Sequence, residues 1–319
     1  MDDLKFETQY LPHITQQIGT GSLILFTGAG FSLEGLNAQN KNIPGAQTLT
    51  EMIWDIAYPD KEYEKGNDLK DLFDNTLKHR RAALEKLLHN EFTAADQGQP
   101  DWYSKCLSLP WLRAYTLNID NLMEVISERS QPNDRNITPI SATIESLEKL
   151  NNSNLNIIHI NGNLNHPIDN IIFSRSQYAN KNNTDYYDLL KNDLTQRPAI
   201  FIGSSLEEDS FWEHVVSRGS KGKRSNKEHR PRSYLVIPTL PTSKQTLLEE
   251  YNIEWIPMTG KEFIERIYDV VEPRIKDGFN EIKMRATSTG GYRKKFSFVP
   301  DLIEDTNTDT DFLMGAEPT

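Results

Sequence analysis

The sequence has almost no cysteine. Cys106 is the single cysteine among its 319 residues. One thiol cannot form an internal disulfide, and it cannot supply the four ligands of a cysteine zinc ribbon. We therefore predict a core thiol at Cys106, no zinc ribbon and no metal site.

Long hydrophobic runs and positive charge are also scarce. The chain has no apolar run of about eighteen residues and no cationic, apolar leader at its N-terminus, which predicts a cytoplasmic protein without a membrane partner. Lys and Arg number 35 against 46 Asp and Glu, so the formal net charge is −11. Such a charge opposes attraction to phosphate backbones, and we predict no direct nucleic-acid binding. The basic cluster at 217–233 is rich in Gly and Ser, which favours a solvated loop, with a phosphate or partner contact as the alternative.

Short apolar runs alternate with helical patterns along most of the chain. Six runs, rich in Ile, Val, Leu and Phe, predict buried strands at 23–28, 114–119, 156–161, 199–204, 233–238 and 253–258. Apolar residues three and four apart predict helices at 71–92, 121–130 and 261–275. This alternation predicts an α/β fold, a doubly wound and mostly parallel Rossmann-like sheet.

Two regions depart from the alternation. Residues 37–110 carry mostly helical patterns between the first two strands, which predicts a helical insertion or lid. From residue 284 the sequence loses its periodicity and fills with Thr, Gly, Asp and Asn. We therefore predict one domain over residues 1–283 and, over 284–319, a linker leading to a further domain outside this chain.

A glycine-rich loop follows the first predicted strand. The sequence Gly28-Ala29-Gly30-Phe31-Ser32 lets the backbone turn tightly and approach a phosphate at a helix N-terminus. A tight turn without a ligand explains the same residues. Because ligands of open α/β sheets bind outside the carboxyl ends of strands, the other strand ends help to decide.

Three further strand ends carry polar or small residues. Thr116, Asn118, Asp120 and Asn121 follow the second strand, where Asp120 or Asn121 also suits a helix N-cap. His159 and Asn161 end the third strand, two residues apart and so on one face; His159 is either a satisfied core residue or part of a site. Gly203, Ser204 and Ser205 end the fourth. These sets predict one ligand site.

Taken together, the four strand ends resemble a known family. The motifs "FTGAGFS", "TLNIDNL", "HINGNL" and "FIGSSLEED", in this order, resemble the sirtuin NAD-binding fold over about residues 15–270. They are most similar to sirtuin-like NADase domains of bacterial anti-phage defence, in which a sensor domain follows. The end of the chain resembles the junction to a STAND-type ATPase module.

The resemblance implies a role for each matching residue. Gly28, Ala29, Gly30 and Ser32 would lie against the pyrophosphate and nicotinamide ribose, and Gly203, Ser204 and Ser205 near the adenosine. Asn118 would position the water or the ribose, and Asp120 would lie beside the nicotinamide. The remaining residues of the motifs complete the predicted NAD⁺ site: Phe31, Thr116, Asn121 and Gly162.

One position departs from the family pattern. The family places its histidine base directly before the glycine, where this chain has Asn161, and the histidine stands two residues earlier at His159. His159 reaches the ribose directly, acts through Asn161 or a water, or is structural. Asparagine cannot act as a base near neutral pH.

The resemblance predicts an enzyme that hydrolyses NAD⁺ to nicotinamide and ADP-ribose. Asn118 and His159 are the predicted catalytic residues, with Asp120 and Asn161 in support. Without four zinc-binding cysteines, hydrolysis is favoured over protein deacylation.

The expected context is abortive infection by NAD⁺ depletion, in a homo-oligomer controlled by a sensor or ATPase domain or a partner protein. The alternative is a silent NAD or ADP-ribose sensor or oligomerisation module; an oxidoreductase is disfavoured because Leu33 breaks the Gly-x-Gly-x-x-Gly spacing.

Overall fold

The computed structural model describes residues 3–130, 135–174, 177, 185–206 and 230–289. Most of the predicted basic loop at 217–233 lies outside these residues, as do positions 207–209 of the last motif and the chain after residue 289.

A seven-stranded parallel sheet forms the centre of the molecule. Its strands are β1 (Ile24–Thr27), β2 (Arg113–Thr116), β3 (Ile137–Ser141), β4 (Leu155–His159), β5 (Ala199–Ile202), β6 (Ser233–Val236) and β7 (Ile253–Ile256). Their order across the sheet is β3-β4-β2-β1-β5-β6-β7. Each described pairing is parallel. The six predicted strands are present, and β3 is an additional edge strand.

Both faces of the sheet are covered by apolar side chains. Leu25 belongs to one buried cluster, whereas its neighbours Ile24 and Phe26 belong to the other. Side chains of a strand alternate between faces, so this division shows a core on each side of β1. The predicted doubly wound α/β fold is confirmed.

Helices fill the connections. They are α1 (Asp3–Lys5), α2 (Leu11–Thr20), α3 (Ala29–Ser32), α4 (Ala46–Ala57), α5 (Leu69–His79), α6 (Arg81–Phe92), α7 (Asp101–Leu107), α8 (Leu122–Ser130), α9 (Asp185–Gln196), α10 (Thr242–Glu250) and α11 (Gly260–Thr289), with a π-helical turn at Phe6–Tyr10. None of the described helices is long and apolar enough to cross a membrane. The last helix ends at Thr289, beyond the predicted domain end at 283.

The insertion between β1 and β2 contains α4 to α7. The helix predicted over 71–92 is two helices, because Arg80 leaves the helical conformation with φ −138° and ψ 32°. The first of them, α5, begins at a capped end: the carboxylate of Asp68 accepts a hydrogen bond of 2.7 Å from the Lys70 nitrogen. Capping satisfies a donor that the helix itself leaves unpaired.

The strand order creates a crevice beside β1. In the strand order, β2 is the neighbour of β1 on one side and β5 is its neighbour on the other. The chain leaves β1 towards β2 and later returns to β5, so the order of the strands reverses between β1 and β5. Thr27 is level with Thr116 of β2 and with Ile202 of β5, so the three carboxyl ends lie at one height. Such a switch point is where open α/β sheets bind ligands.

Candidate active site

A cavity of about 470 Å³ opens at this switch point. Its volume is within the range of small-molecule and cofactor sites. Residues that follow four strands line it. Those among the residues predicted from the sequence are Gly28, Ala29, Ser32, Asn118, Asp120, Asn161, Gly203, Ser204 and Ser205. The structure therefore brings the four motifs together around one space.

The glycines of the first and last motifs pack against each other. A Cβ atom on Gly28 would lie 2.7 Å from the Ser204 Cα, and one on Gly30 would lie 2.9 Å from the Gly203 Cα. The nitrogen of Gly30 donates to the Gly203 carbonyl at 2.8 Å, and the nitrogen of Gly28 donates to the Ile202 carbonyl at 3.1 Å. These glycines are required by the contact between the two loops, and both N–H groups are used there.

Asn118 is fixed on the cavity wall by its side chain and its main chain. Its amide nitrogen donates to the Gly28 carbonyl at 3.0 Å and to the Ser32 hydroxyl at 2.9 Å. Its main-chain nitrogen donates to the Thr116 hydroxyl at 3.0 Å. Because a carbonyl only accepts, the contact with Gly28 settles which amide atom is nitrogen. The amide oxygen is the atom left to act on a ligand.

Asp120 combines a structural role with a titratable group at the cavity. Its carboxylate accepts a hydrogen bond of 3.1 Å from the Leu122 nitrogen. Asp120 thus caps α8, as expected for one of the two N-cap candidates in the sequence. Burial raises the pKa of Asp120 to about 6, and the charge of Glu124 acts in the same direction, while the Ser32 hydroxyl, the Leu122 nitrogen and His159 lower it. A carboxyl group with such a pKa exchanges protons near neutral pH.

His159 lies behind the cavity wall. The side chain is buried and is not among the lining residues. Its Nδ1 is 2.9 Å from the main-chain oxygen of Asn118, and its Nε2 is 2.8 Å from a carboxylate oxygen of Glu124. Both ring nitrogens are therefore engaged by the protein itself.

The turn after β4 separates His159 from Asn161. The strand ends at His159, and the nitrogen of Gly162 donates to the His159 carbonyl at 3.2 Å. Alternation of side chains holds only within a strand, so the expected shared face is lost in this turn. Asn161 reaches the cavity, and His159 does not.

Five other predicted residues do not line the cavity. Phe31 packs edge-on against the stacked rings of Trp102 and Tyr103. Asn121 accepts a hydrogen bond of 2.8 Å from the Ala94 nitrogen, which ties the insertion to the sheet. The others outside the lining are Gly30, Thr116 and Gly162. These residues support the loops of the site.

The insertion supplies a wall that the sequence did not predict. Residues of α4, α5 and the segments around them face the strand ends: Ile43, Pro44, Gly45, Ala46, Leu49, Asp68, Leu69, Lys70 and Phe92, with Phe173 beside them. Most are apolar and therefore look like ordinary core in a sequence. Lys70 is the one cationic residue among the described lining residues. Lys70 lies far from the four motifs along the chain, so the sequence did not indicate that it belongs to the site.

The described residues contain no group of three or more His, Cys, Asp or Glu side chains that could hold a metal ion. Cys106 is buried, and its burial raises the pKa of the thiol well above its usual range.

Comparisons with known proteins find a family match over part of the chain and distant matches among solved structures. Among solved structures, a SIR2 homologue in complex with NAD shares 14% identity, over 83% of this chain and 94% of that chain, with a TM-score of 0.45. A Sir2 homologue variant in complex with ADP-ribose shares 13% identity, over 82% and 97%, with a TM-score of 0.46. A search of curated proteins finds no significant match. The protein-family model of the SIR2-like domain matches residues 113–256, from β2 to β7, so this part of the chain is similar to a SIR2-like domain.

Proposed function

We propose that the chain is an NAD⁺ glycohydrolase. The observation that carries this proposal is the set Asn118, Ser32 and Asp120 on the wall of the cavity at the switch point. The SIR2-like match over residues 113–256 and the four sirtuin-like motifs support NAD⁺ as the ligand. The cavity thus lies where α/β folds bind nucleotides, and the amide of Asn118 and the carboxyl group of Asp120 line it.

The lining suggests how NAD⁺ lies in the cavity. Its pyrophosphate carries two negative charges, and Lys70 is the cation that the described lining offers. We place the pyrophosphate between Lys70 and the loop at 28–32. The nicotinamide ribose then lies towards Asn118 and Asp120, and the adenosine towards Ser204.

The reaction proceeds by cleavage of the N-glycosidic bond. The bonding electron pair leaves with the ring nitrogen, which gives neutral nicotinamide and an oxocarbenium-like ribose. A water oxygen then bonds to the ribose carbon and loses one proton. The balanced reaction turns NAD⁺ and water into nicotinamide, ADP-ribose and one proton.

Two side chains perform this step in the proposal. Asn118 accepts a hydrogen bond from the water through its amide oxygen, since its amide nitrogen is held by Gly28 and Ser32. Asp120 accepts the proton, for which a pKa of about 6 suits it near neutral pH. Asn161 contributes a polar group to the same wall. The proposal gives His159 no proton transfer, because its ring nitrogens face Asn118 and Glu124.

A second candidate is a binding module that holds NAD⁺ or ADP-ribose without cleaving it. The burial of His159 and the amide at Asn161 favour it, because no imidazole among the described residues lines the cavity. Asp120 favours the enzyme, because it supplies a base that the second candidate does not need.

An activity assay separates the two candidates. The 319-residue chain is incubated with NAD⁺, nicotinamide is quantified by chromatography, and Asn118→Ala is compared with Asn280→Ala, an asparagine exposed on α11. The enzyme predicts release by the wild type and by Asn280→Ala, and a loss of about 10²-fold in Asn118→Ala. Binding of NAD⁺ by calorimetry without any release would favour the binding module.

We also propose that NAD⁺ depletion by this chain serves anti-phage defence, under the control of a further domain or partner and in a homo-oligomer. Cells that carry the wild type should lose NAD⁺ on infection and limit phage spread. Cells that carry Asn118→Ala should keep their NAD⁺, and equal phage yields from both would contradict this context.

A further inference from the structure

A buried ion pair lies directly behind the cavity wall. Glu124 stands in the first turn of α8, and His159 ends β4, so the pair joins a helix to the sheet. The side chains are 9% and 1% exposed, and Glu124 Oε1 is 2.8 Å from His159 Nε2. The second carboxylate oxygen of Glu124 is buried and has no hydrogen-bond partner within the described part of the chain.

The partners of the ring indicate its protonation. A main-chain carbonyl faces Nδ1 and a carboxylate faces Nε2, and both groups accept hydrogen bonds. Two acceptors require two N–H groups, which is the imidazolium form. Burial by itself lowers the pKa of His159, but the Glu124 carboxylate and the Asn118 carbonyl outweigh it and raise the pKa.

The ring also completes the immobilisation of Asn118. The carbonyl of Asn118 accepts from His159, its main-chain nitrogen donates to Thr116, and its amide donates to Gly28 and Ser32. Of these contacts, the one with His159 is the only bond to the Asn118 carbonyl in the described structure. Loss of the ring would therefore free the peptide that aims the Asn118 amide.

We propose that Glu124 and His159 are positioning residues, which hold the Asn118 main chain in the geometry for water attack and exchange no proton with NAD⁺. The inference rests on the proposed function, because it explains how the same site is aligned. It assigns a role to Glu124, which none of the motifs contains, and it replaces a base at His159 by a hydrogen-bond donor.

Paired substitutions test the proposal without leaving a buried unpaired charge. An asparagine at 159 places its Nδ2 donor where the imidazole has Nδ1, but it cannot act as a base near neutral pH. The first double variant is therefore His159→Asn with Glu124→Gln. The second is His159→Ala with Glu124→Gln, which removes the donor. Each is assayed for nicotinamide release, with thermal denaturation to confirm that it is folded at the assay temperature.

The positioning role predicts a split between the two double variants. The asparagine variant should keep its kcat within about tenfold of the wild type, whereas loss of a general base costs about 10²–10⁴-fold. The alanine variant should lose about 10²-fold in kcat with its KM nearly unchanged, since misalignment acts on the reacting centre. Should the alanine variant not fold, the asparagine variant alone decides. An asparagine variant as inactive as a general-base knockout, while folded, would overturn the proposal, as would equal kcat values for both variants.

Two measurements keep this outcome separate from the proposed function. Imidazole NMR of the wild type should show both His159 nitrogens protonated at pH 7, and Glu124→Gln should remove that doubly protonated state. A neutral ring in the wild type would contradict the proposed ion pair between His159 and Glu124. ADP-ribose affinity by calorimetry should be alike in the wild type and the asparagine variant. A wild type that binds ADP-ribose but releases no nicotinamide would refute the hydrolase and, with it, the role of the pair in water attack.

Discussion

Asp120 should lower the stability of the fold at neutral pH, and Asp120→Asn should raise it. The folded state shifts the pKa of this carboxyl from 3.8 to about 6, with burial as the largest cause. The native state then binds more protons than the unfolded state between these values, so stability falls as pH rises through this window. Above about pH 7 the whole penalty is present.

The size of the effect follows from the two pKa values. A difference of about two pKa units corresponds to a penalty of about 3 kcal/mol at pH 7.5 and to roughly half of that at pH 5, where the native carboxyl is still mostly protonated. Asparagine keeps an oxygen for the Leu122 nitrogen, so the cap of α8 survives. The gain from Asp120→Asn should therefore roughly double between pH 5 and pH 7.5.

Urea denaturation followed by circular dichroism measures this gain at both pH values. Asp269→Asn is the matched control, because Asp269 is exposed on α11. The control should change stability equally at both pH values and by less than about 0.5 kcal/mol. A gain for Asp120→Asn that does not grow with pH, or a loss of stability at pH 7.5, would refute the raised pKa.

Two further predictions concern the loops and the core. Gly203 and Gly66 both have a positive φ, 66° and 92° respectively. A Cβ atom added at Gly203 would clash with the backbone of Phe31, whereas one added at Gly66 would meet no atom within 4 Å. Gly66→Ala should cost about 1 kcal/mol of unfolding free energy in urea titrations, and Gly203→Ala clearly more; equal costs would contradict the loop contact. Cys106 is buried with a raised thiol pKa, so iodoacetamide should label it only after denaturation, and rapid labelling of the native chain would contradict its burial.

The sequence predicted every strand of the described sheet except β3, which lies at one of its two edges. Runs of Ile, Leu, Val and Phe predicted the central strands because those strands are apolar on both faces. Strand β3 was missed, since its sequence "ITPIS" contains Pro139 and is only partly buried. Proline removes a donor and is tolerated at an edge, where β3 pairs with β4 alone. Strand β3 therefore lacks the apolar signal, whereas the opposite edge strand, β7, carries it in the buried residues Ile253 and Ile256.

The candidate site was predicted in its composition more than in its geometry. The strand-end motifs supplied most of the polar residues around the cavity, because parallel strands bring their carboxyl ends together. The place of His159 was beyond sequence reasoning, since its partner Glu124 lies 35 residues away and the strand ends where the alternation was expected to continue. The wall from the insertion was missed because residues such as Leu49 and Phe92 are indistinguishable from core.

A time course of NAD⁺ hydrolysis at two pH values tests the central claim most directly. The wild-type chain should convert NAD⁺ to equal amounts of nicotinamide and ADP-ribose. With a pKa of about 6, Asp120 is about one-tenth ionised at pH 5 and almost fully ionised at pH 7.5, so kcat should rise by about tenfold between them. Bound NAD⁺ that stays intact at both pH values would contradict the account, as would a kcat that does not change with pH.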